Sequence, residues 1–308
     1  MSDDGDELMR HLTKRRWMVL LAGMGGILAV VAVIKWKSAI DRGGQMPVEP
    51  FRIAGNLYYV GTNDITAFLL TGSEGHVLIG DGREASASMI IESIAKLGFS
   101  IADVKVLLNS EPHFDHAGAL AALQKASGAE VWISEPDADV VAAGGAGDHS
   151  LGPWILFSYV PLFRYPPPRI DHRFKDGATI HVGPLEVTAH ITAGHTPGST
   201  SWSFPVRDGD RELLAVSICD MGPPLGVSRV GPDPYLTVRT DFERSFRTLR
   251  SLPADIFLAS HAREFGRWRK LQGRANAKNP ADPFIDRPGY LSSISQAETR
   301  IHEWLADQ

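Results

Sequence analysis

One cysteine, Cys219, stands among 308 residues. A lone thiol allows no intrachain disulfide and no cysteine-rich zinc site. Export to an oxidising compartment is still compatible, because exported proteins need not carry disulfides. An excess of positive charge is also missing: 31 Lys and Arg stand against 36 Asp and Glu, a formal net charge of −5. Nucleic-acid surfaces need clustered Lys and Arg to meet phosphates, so no nucleic-acid partner is expected. The sequence has no repeat of fixed period and no low-complexity tract.

One long apolar run does occur, from Trp17 to Ile34, behind the basic cluster Lys14, Arg15 and Arg16 and before Lys35 and Lys37. At about 1.5 Å per residue it reaches roughly 27 Å, close to the hydrocarbon thickness of a bilayer. The basic cluster favours an N-inside orientation, which puts the rest of the chain in the periplasm or otherwise outside the cytoplasm. An uncleaved signal-anchor over residues 1–37, spanning the membrane at about 17–34, is the expectation. A cleaved signal peptide is the alternative, although no clear A-x-A site follows the run. With no nearby cysteine there is no lipobox. Residues 38–50, with two glycines and two prolines, read as a linker. A catalytic domain is expected over 51–308, with the membrane touched only through the N-terminal segment.

Within that domain, "NLYYVGT", "ITAFLLTG" and "GHVLIGDG" read as successive strands. Ser86 to Leu97 has helical spacing before Gly98, "VKVLLN" is a buried strand, "AGALAALQKASG" a second helix and "AEVWIS" another strand. Asp137 to Ala143 reads as a short helix. Gly144 to Pro168, rich in Gly, Pro and aromatics, reads as a long surface loop. Strands resume from Arg169 with "ATIHVG", "LEVTAHIT", "TSWSFPV" and "ELLAVSI". Phe242 to Leu252 is then a helix, "DIFLAS" a strand and Ile294 to Leu305 a terminal helix. Strand runs with interspersed helices in both halves predict two β-sheets packed face to face with helices outside.

Glu111, His113, Asp115 and His116 place four metal-ligand side chains within six residues, after a strand and before a helix. A loop at a strand end can aim neighbouring side chains in different directions, so two metal positions can be served from one stretch. His195 in "ITAGHTPGST" and His261 in "FLASHARE" also follow apolar strands. Imidazole and carboxylate suit zinc, and three protein ligands per ion leave a position for water. The remaining histidines, His11, His76, His149, His172, His181, His190 and His302, read as ordinary surface or core residues. Trp154, Phe157, Tyr159, Phe163 and Tyr165 are either ordinary loop packing or an apolar wall over a substrate.

"EPHFDHAG", "TAGHTPGSTSW" and "ASHAREF" resemble the metal-binding loops of the metallo-β-lactamase superfamily, whose first loop usually reads H-x-H-x-D-H. "PFRIAGNLYYVGT", "LGFSIADVKVLLNS", "DHRFKDGATIHVGPLEVTAHITAGHTPGSTSW" and "PFIDRPGYLSSI" are similar to subclass B3 β-lactamases in particular. The resemblance implies an αββα sandwich in the α/β class with two zinc ions at one edge of the sheets. By position it places His113 and His195 on the first site, with Glu111 where that site's first histidine would be. Asp115, His116 and His261 fall on the second. It implies hydrolysis of a β-lactam amide by metal-bound hydroxide, with Asp115 in a catalytic role near the departing nitrogen. The expected partner is a small-molecule β-lactam, and the expected state a monomer. A lactonase or thioesterase on the same scaffold is the alternative. A non-catalytic, membrane-tethered metal-binding protein is a third reading.

Four departures stand out. Glu111 replaces a histidine and is followed by Pro112. Met221, expected beside Trp154 and Phe157 in substrate binding, sits where the subclass often has serine. Asp220 lies where the wider superfamily has a bridging Asp. The turn usually written LIDTG reads Leu78-Ile79-Gly80-Asp81-Gly82.

Overall fold

The alternation of side chains along three central strands explains the layering. In β3 (Phe68–Gly72), β4 (Gly75–Ile79) and β5 (Val104–Leu108), Phe68, Leu70, Val77, Ile79, Val106 and Leu108 enter one apolar cluster. Their neighbours Leu69, Leu78 and Leu107 enter another. Successive side chains of a strand point to opposite faces, so these strands are covered on both sides. That is why they read as continuous apolar runs and not as an alternating pattern.

The outer cluster packs that face against helices α1 (Ser86–Lys96) and α3 (Leu120–Ser127) through Ile90, Ile94, Leu120 and Leu123. Between them lies a single helical turn, α2 (Phe114–Ala117). The inner cluster joins the two sheets. One sheet has seven strands in the order β1-β2-β3-β4-β5-β6-β7 and the other five in the order β12-β11-β10-β9-β8. The first sheet is completed by β1 (Phe51–Ala54), β2 (Leu57–Tyr59), β6 (Glu130–Ser134) and β7 (His172–Phe174). The second contains β8 (Thr179–Val182), β9 (Leu185–Ile191), β10 (Thr200–Asp208), β11 (Arg211–Ile218) and β12 (Ile256–Ala259). Its outer face carries α5 (Val238–Ser251) and the terminal α7 (Arg287–Ala306), with Phe242, Phe246, Tyr290 and Ile294 buried against the core. Two further helices are α4 (Ala138–Ala142) and α6 (Arg267–Gly273). Two mixed sheets between helical layers are the αββα sandwich expected from the sequence.

This computed structural model describes residues 46–80, 82–160, 163–224 and 237–306. They belong to one unit, Gln45–Gln308. The expected membrane span at 17–34, residues 38–45 of the linker, and Asp81 lie outside the described residues. Among the described residues, no helix is long and apolar enough to cross a membrane. Two local readings change. The stretch read as surface loop contains 3-10 turns over His149–Tyr159, and the terminal helix starts at Arg287, seven residues before Ile294. Pro288 stands in its first turn, where a missing N–H costs nothing.

Candidate metal centre

β5 delivers the first four candidate donors. After Leu108 the chain runs through Asn109 to Pro112, reaches His113 and turns into α2. Trp202 Nε1–H donates to Ser110 Oγ at 3.0 Å, and Thr200 N–H donates to the Ser110 carbonyl at 2.8 Å. The Asn109 amide donates to the His116 carbonyl at 3.0 Å, and the Tyr165 hydroxyl to the Pro112 carbonyl at 2.6 Å. The loop is therefore tied to the opposite sheet, to its own helix and to the 163–168 segment.

His195 comes from the connection between β9 and β10. The buried Asp137 carboxylate accepts the Thr196 hydroxyl at 2.6 Å and the Gly198 N–H at 2.9 Å, which fixes that loop. Burial raises the Asp137 carboxyl to about 7 against these two bonds. His261 follows the end of β12.

These elements bring together Glu111, His113 and His195 as one group, and Asp115, His116 and His261 as another, with donor atoms inside each group within 4.8 Å of one another. In the first group His113 Nδ1 lies 3.1 Å from His195 Nε2 and 3.3 Å from Glu111 Oε1, and His195 Nε2 lies 3.6 Å from Glu111 Oε2. A tetrahedron with metal–nitrogen bonds of about 2.05 Å has edges of about 3.3 Å, so these separations suit ligands of one small ion. In the second, His116 Nε2 is 3.9 Å from Asp115 Oδ2, and the His116 and His261 rings meet edge to face at 5.0 Å.

The outward nitrogens of three imidazoles have partners of their own. His113 Nε2 faces Asp148 Oδ2 and Ser150 Oγ, each at 3.1 Å. His195 Nδ1 faces the Gly222 carbonyl at 3.0 Å, and His261 Nδ1 faces Asp64 Oδ2 at 3.1 Å. Carbonyl and carboxylate oxygens only accept, so each outward nitrogen carries a hydrogen, and in the neutral ring the inward nitrogen is then the one that offers a lone pair to a metal. The donor set therefore fits a metal in tautomer as well as in spacing.

Burial alone would raise the Glu111 carboxyl, yet His116, His195 and His113 around it hold it well below the ordinary carboxylate range. Burial opposes charge on His113, but Asp148 and then Glu111 raise it well above the usual imidazole value. For His116 burial prevails and its pKa falls. His261 is raised against burial, chiefly by Asp64.

The other site residues named from sequence are placed differently. Met221 is 7 % exposed and packs in the core between the sheets. Trp154 and Phe157 lie in the 3-10 segment, with side chains outside the described set. Asp220 comes near the second group, its Oδ2 3.8 Å from His261 Nε2, while its Oδ1 accepts the Gly222 N–H at 2.6 Å. Tyr165 is buried, Phe163 meets Phe114 edge-on at 5.9 Å, and Tyr159 is exposed. His76, His172 and His190 are engaged away from the centre, with Phe99, Glu130 and Ser203.

Asp64, Asp137, Asp148 and Ser150 escaped the sequence reading. Asp64 is separated from His261 by 197 positions, and no local pattern marks an acid whose partner arrives from so far.

Residues 60–261 match the family model described as the metallo-beta-lactamase superfamily. A probable metallo-hydrolase of Burkholderia pseudomallei is 30% identical over 182 residues, 56% of this chain and 56% of that protein. A hydroxyacylglutathione hydrolase of a Jannaschia species is 29% identical over 201 residues, 64% of this chain and 61% of that protein. The match thus spans under two thirds of either relative. Among solved structures, the FEZ-1 metallo-beta-lactamase from Legionella gormanii superposes with a TM-score of 0.80 at 34% identity, covering 86% of this chain and 98% of that one. BJP-1, a subclass B3 metallo-beta-lactamase of Bradyrhizobium japonicum, gives 0.76 at 30% identity over 86% and 96%. The Rm3 metallo-beta-lactamase gives 0.78 at 36% identity over 85% and 96%.

Proposed function

The chain belongs to the metallo-beta-lactamase superfamily and is a metal-dependent hydrolase, and from that premise we propose that it hydrolyses the amide bond of β-lactams with two zinc ions. The two converging trios of donors carry this reading. The choice of substrate rests on the solved structures: the superposition takes in nearly the whole of the FEZ-1 and BJP-1 lactamases at 34% and 30% identity.

Zinc ions held by these residues would supply Lewis-acid polarisation of a carbonyl and lower the pKa of water. The chain's own groups do the positioning. Asp148 and Ser150 hold His113, the Gly222 carbonyl holds His195, and Asp64 holds His261. Asp115 is the accessible member of its group, its side chain 23% exposed against 6% for His116 and 8% for His261. Its carboxylate would orient the attacking water and carry a proton toward the departing lactam nitrogen. Water adds to the lactam carbonyl, the carbon–nitrogen bond breaks and the nitrogen takes up the proton, with no serine nucleophile and no acyl-enzyme. The 149–159 segment would border the substrate.

The likeness to a hydroxyacylglutathione hydrolase favours thioesters as the second reading. A chromogenic cephalosporin, with and without chelator, tests the first reading. Zinc-restored turnover is expected, and turnover confined to thioesters or lactones would replace it. The basic cluster and the run from Trp17 to Ile34 support an exported, membrane-anchored placement.

A further inference from the structure

Glu111 reaches further than the other five donors. Its side chain is 1% exposed, and both of its oxygens face imidazole nitrogens. Oε1 lies 3.3 Å from His113 Nδ1, in the first group, and 3.3 Å from His116 Nε2, in the second. Oε2 lies 3.6 Å from His195 Nε2. One carboxylate oxygen thus stands at a ligand-edge distance from both groups. An imidazole in this position would offer a single lone pair to a single ion. A carboxylate offers two oxygens with several lone-pair directions and can join two ions.

The orientation is held from behind. The Cys219 thiol points its Sγ at Oε2, 3.5 Å away, and at the Ser110 carbonyl, 3.4 Å away. Ser110 is in turn tied to Trp202 and Thr200 of the opposite sheet. Asp220 is the competing candidate, but its closest approach to the donors' imidazoles, 3.8 Å to His261 Nε2, is longer than any of the three Glu111 separations. Its other oxygen is committed to the Gly222 N–H.

We propose that Glu111 is a ligand shared between the two metal positions, so that this chain takes up its ions as a pair. The inference rests on the two-metal reading above and concerns how that centre assembles. A shared anion couples the sites by linkage. The first ion fixes the carboxylate that the second needs, and the shared charge offsets repulsion between the two cations.

The test is native mass spectrometry of the full chain in mild detergent, titrated with zinc sulfate. At one equivalent the native chain is expected to divide between zinc-free and two-zinc species. Independent sites would leave half of the chains or more with one ion. In Glu111→Gln, which keeps size and one oxygen but loses the anion, the one-zinc species should become the majority. Its apparent zinc affinity should fall about tenfold or more. Asp220→Asn should keep paired loading. A thermal melt in excess chelator checks that each variant is folded. The proposal is overturned if the native chain carries one ion on half of its molecules or more, if it never reaches two, or if Glu111→Gln still loads in pairs. Loss of pairing in Asp220→Asn alone would also overturn it. No substrate enters this measurement. Paired loading through Glu111 without β-lactam turnover would keep this inference and sink the substrate reading, and the converse result would do the reverse.

Discussion

Asp148 stands directly behind His113, with its Oδ2 3.1 Å from His113 Nε2. Its Oδ1 accepts both the backbone N–H and the hydroxyl of Ser150, at 2.9 and 2.7 Å. The nitrogen that His113 turns toward the centre is thereby fixed by an acid from outside the conspicuous histidine loop. Interactions behind a metal-binding imidazole set its tautomer and basicity, and their loss typically costs about 10–100-fold in metal affinity. Asp148→Ala is accordingly expected to weaken zinc binding by about that factor, and to lower the melting temperature in chelator as well, because the Ser150 N–H and hydroxyl lose their acceptor. Competition against a chromophoric chelator measures the first quantity. An unaltered zinc affinity would show that Asp148 does not orient His113.

Asp64 plays the same part for His261 and is itself held by Arg263. Asp64→Asn should lower the affinity of the chain for its zinc pair by about 10–100-fold. Arg263→Ala should have a smaller effect, because the Arg263 side chain is 60% exposed and exposed ion pairs contribute little. Calorimetric titration of both variants checks the ranking. An unaltered zinc affinity in Asp64→Asn would separate Asp64 from His261.

Most of the sandwich was legible in sequence because the central strands are buried on both faces and read as uninterrupted apolar runs. The six candidate donors were legible because four of them are packed into one loop and two sit in short loops after apolar strands. The start of the terminal helix was not legible, because Pro288 and Gly289 have the weakest helix propensities. In the fold, Asp286 Oδ1 accepts the Gly289 N–H at 2.9 Å and caps the first turn. The acids behind the histidines were hidden for another reason. Asp148 sits in a Gly-rich stretch with no periodicity, and Asp64 in a turn whose partner is distant in the chain.

Gly194 precedes the His195 donor with φ +148°, and a Cβ there would come within 2.4 Å of the Phe242 ring. Gly177, at φ +77°, has nothing within 4 Å of such a Cβ. Gly177→Ala should therefore carry backbone strain alone, on the order of 1–3 kcal/mol. Gly194→Ala should add an overpacking cost of similar size and displace His195. Denaturant midpoints for the two variants, together with the zinc affinity of Gly194→Ala, test this. Equal destabilisation of both would mean that the β9–β10 loop yields freely around Phe242.

Lys270 supplies a pH dependence remote from the metal centre. Its side chain is 3% exposed, its Nζ lies 3.1 Å from Asp286 Oδ2 and donates to the Phe257 carbonyl at 3.3 Å, and it sits 4.9 Å above the Phe257 ring. Burial lowers its pKa from 10.5 to about 8, with Asp286 only partly opposing that shift. Between those two values the unfolded chain binds the proton more readily than the folded one, so this group's contribution to stability rises with pH across that window. Below about pH 8 the full cost of burying the charge is present, about 3 kcal/mol on an order-of-magnitude basis. Lys270→Met removes the titration and keeps an apolar stem. Asp286 tolerates the loss because it is 24% exposed and still accepts the Gly289 N–H. Tyr59 and Tyr290 are both pushed upward by burial, so their phenols add a separate dependence above pH 10. The comparison therefore belongs between about pH 7 and 9.5. In that range the stability of Lys270→Met relative to the native chain should fall steadily, by no more than about 1.4 kcal/mol per pH unit. A stability difference that stays constant from pH 7 to 9.5 would mean that Lys270 keeps its ordinary pKa in the folded protein and that its burial costs nothing.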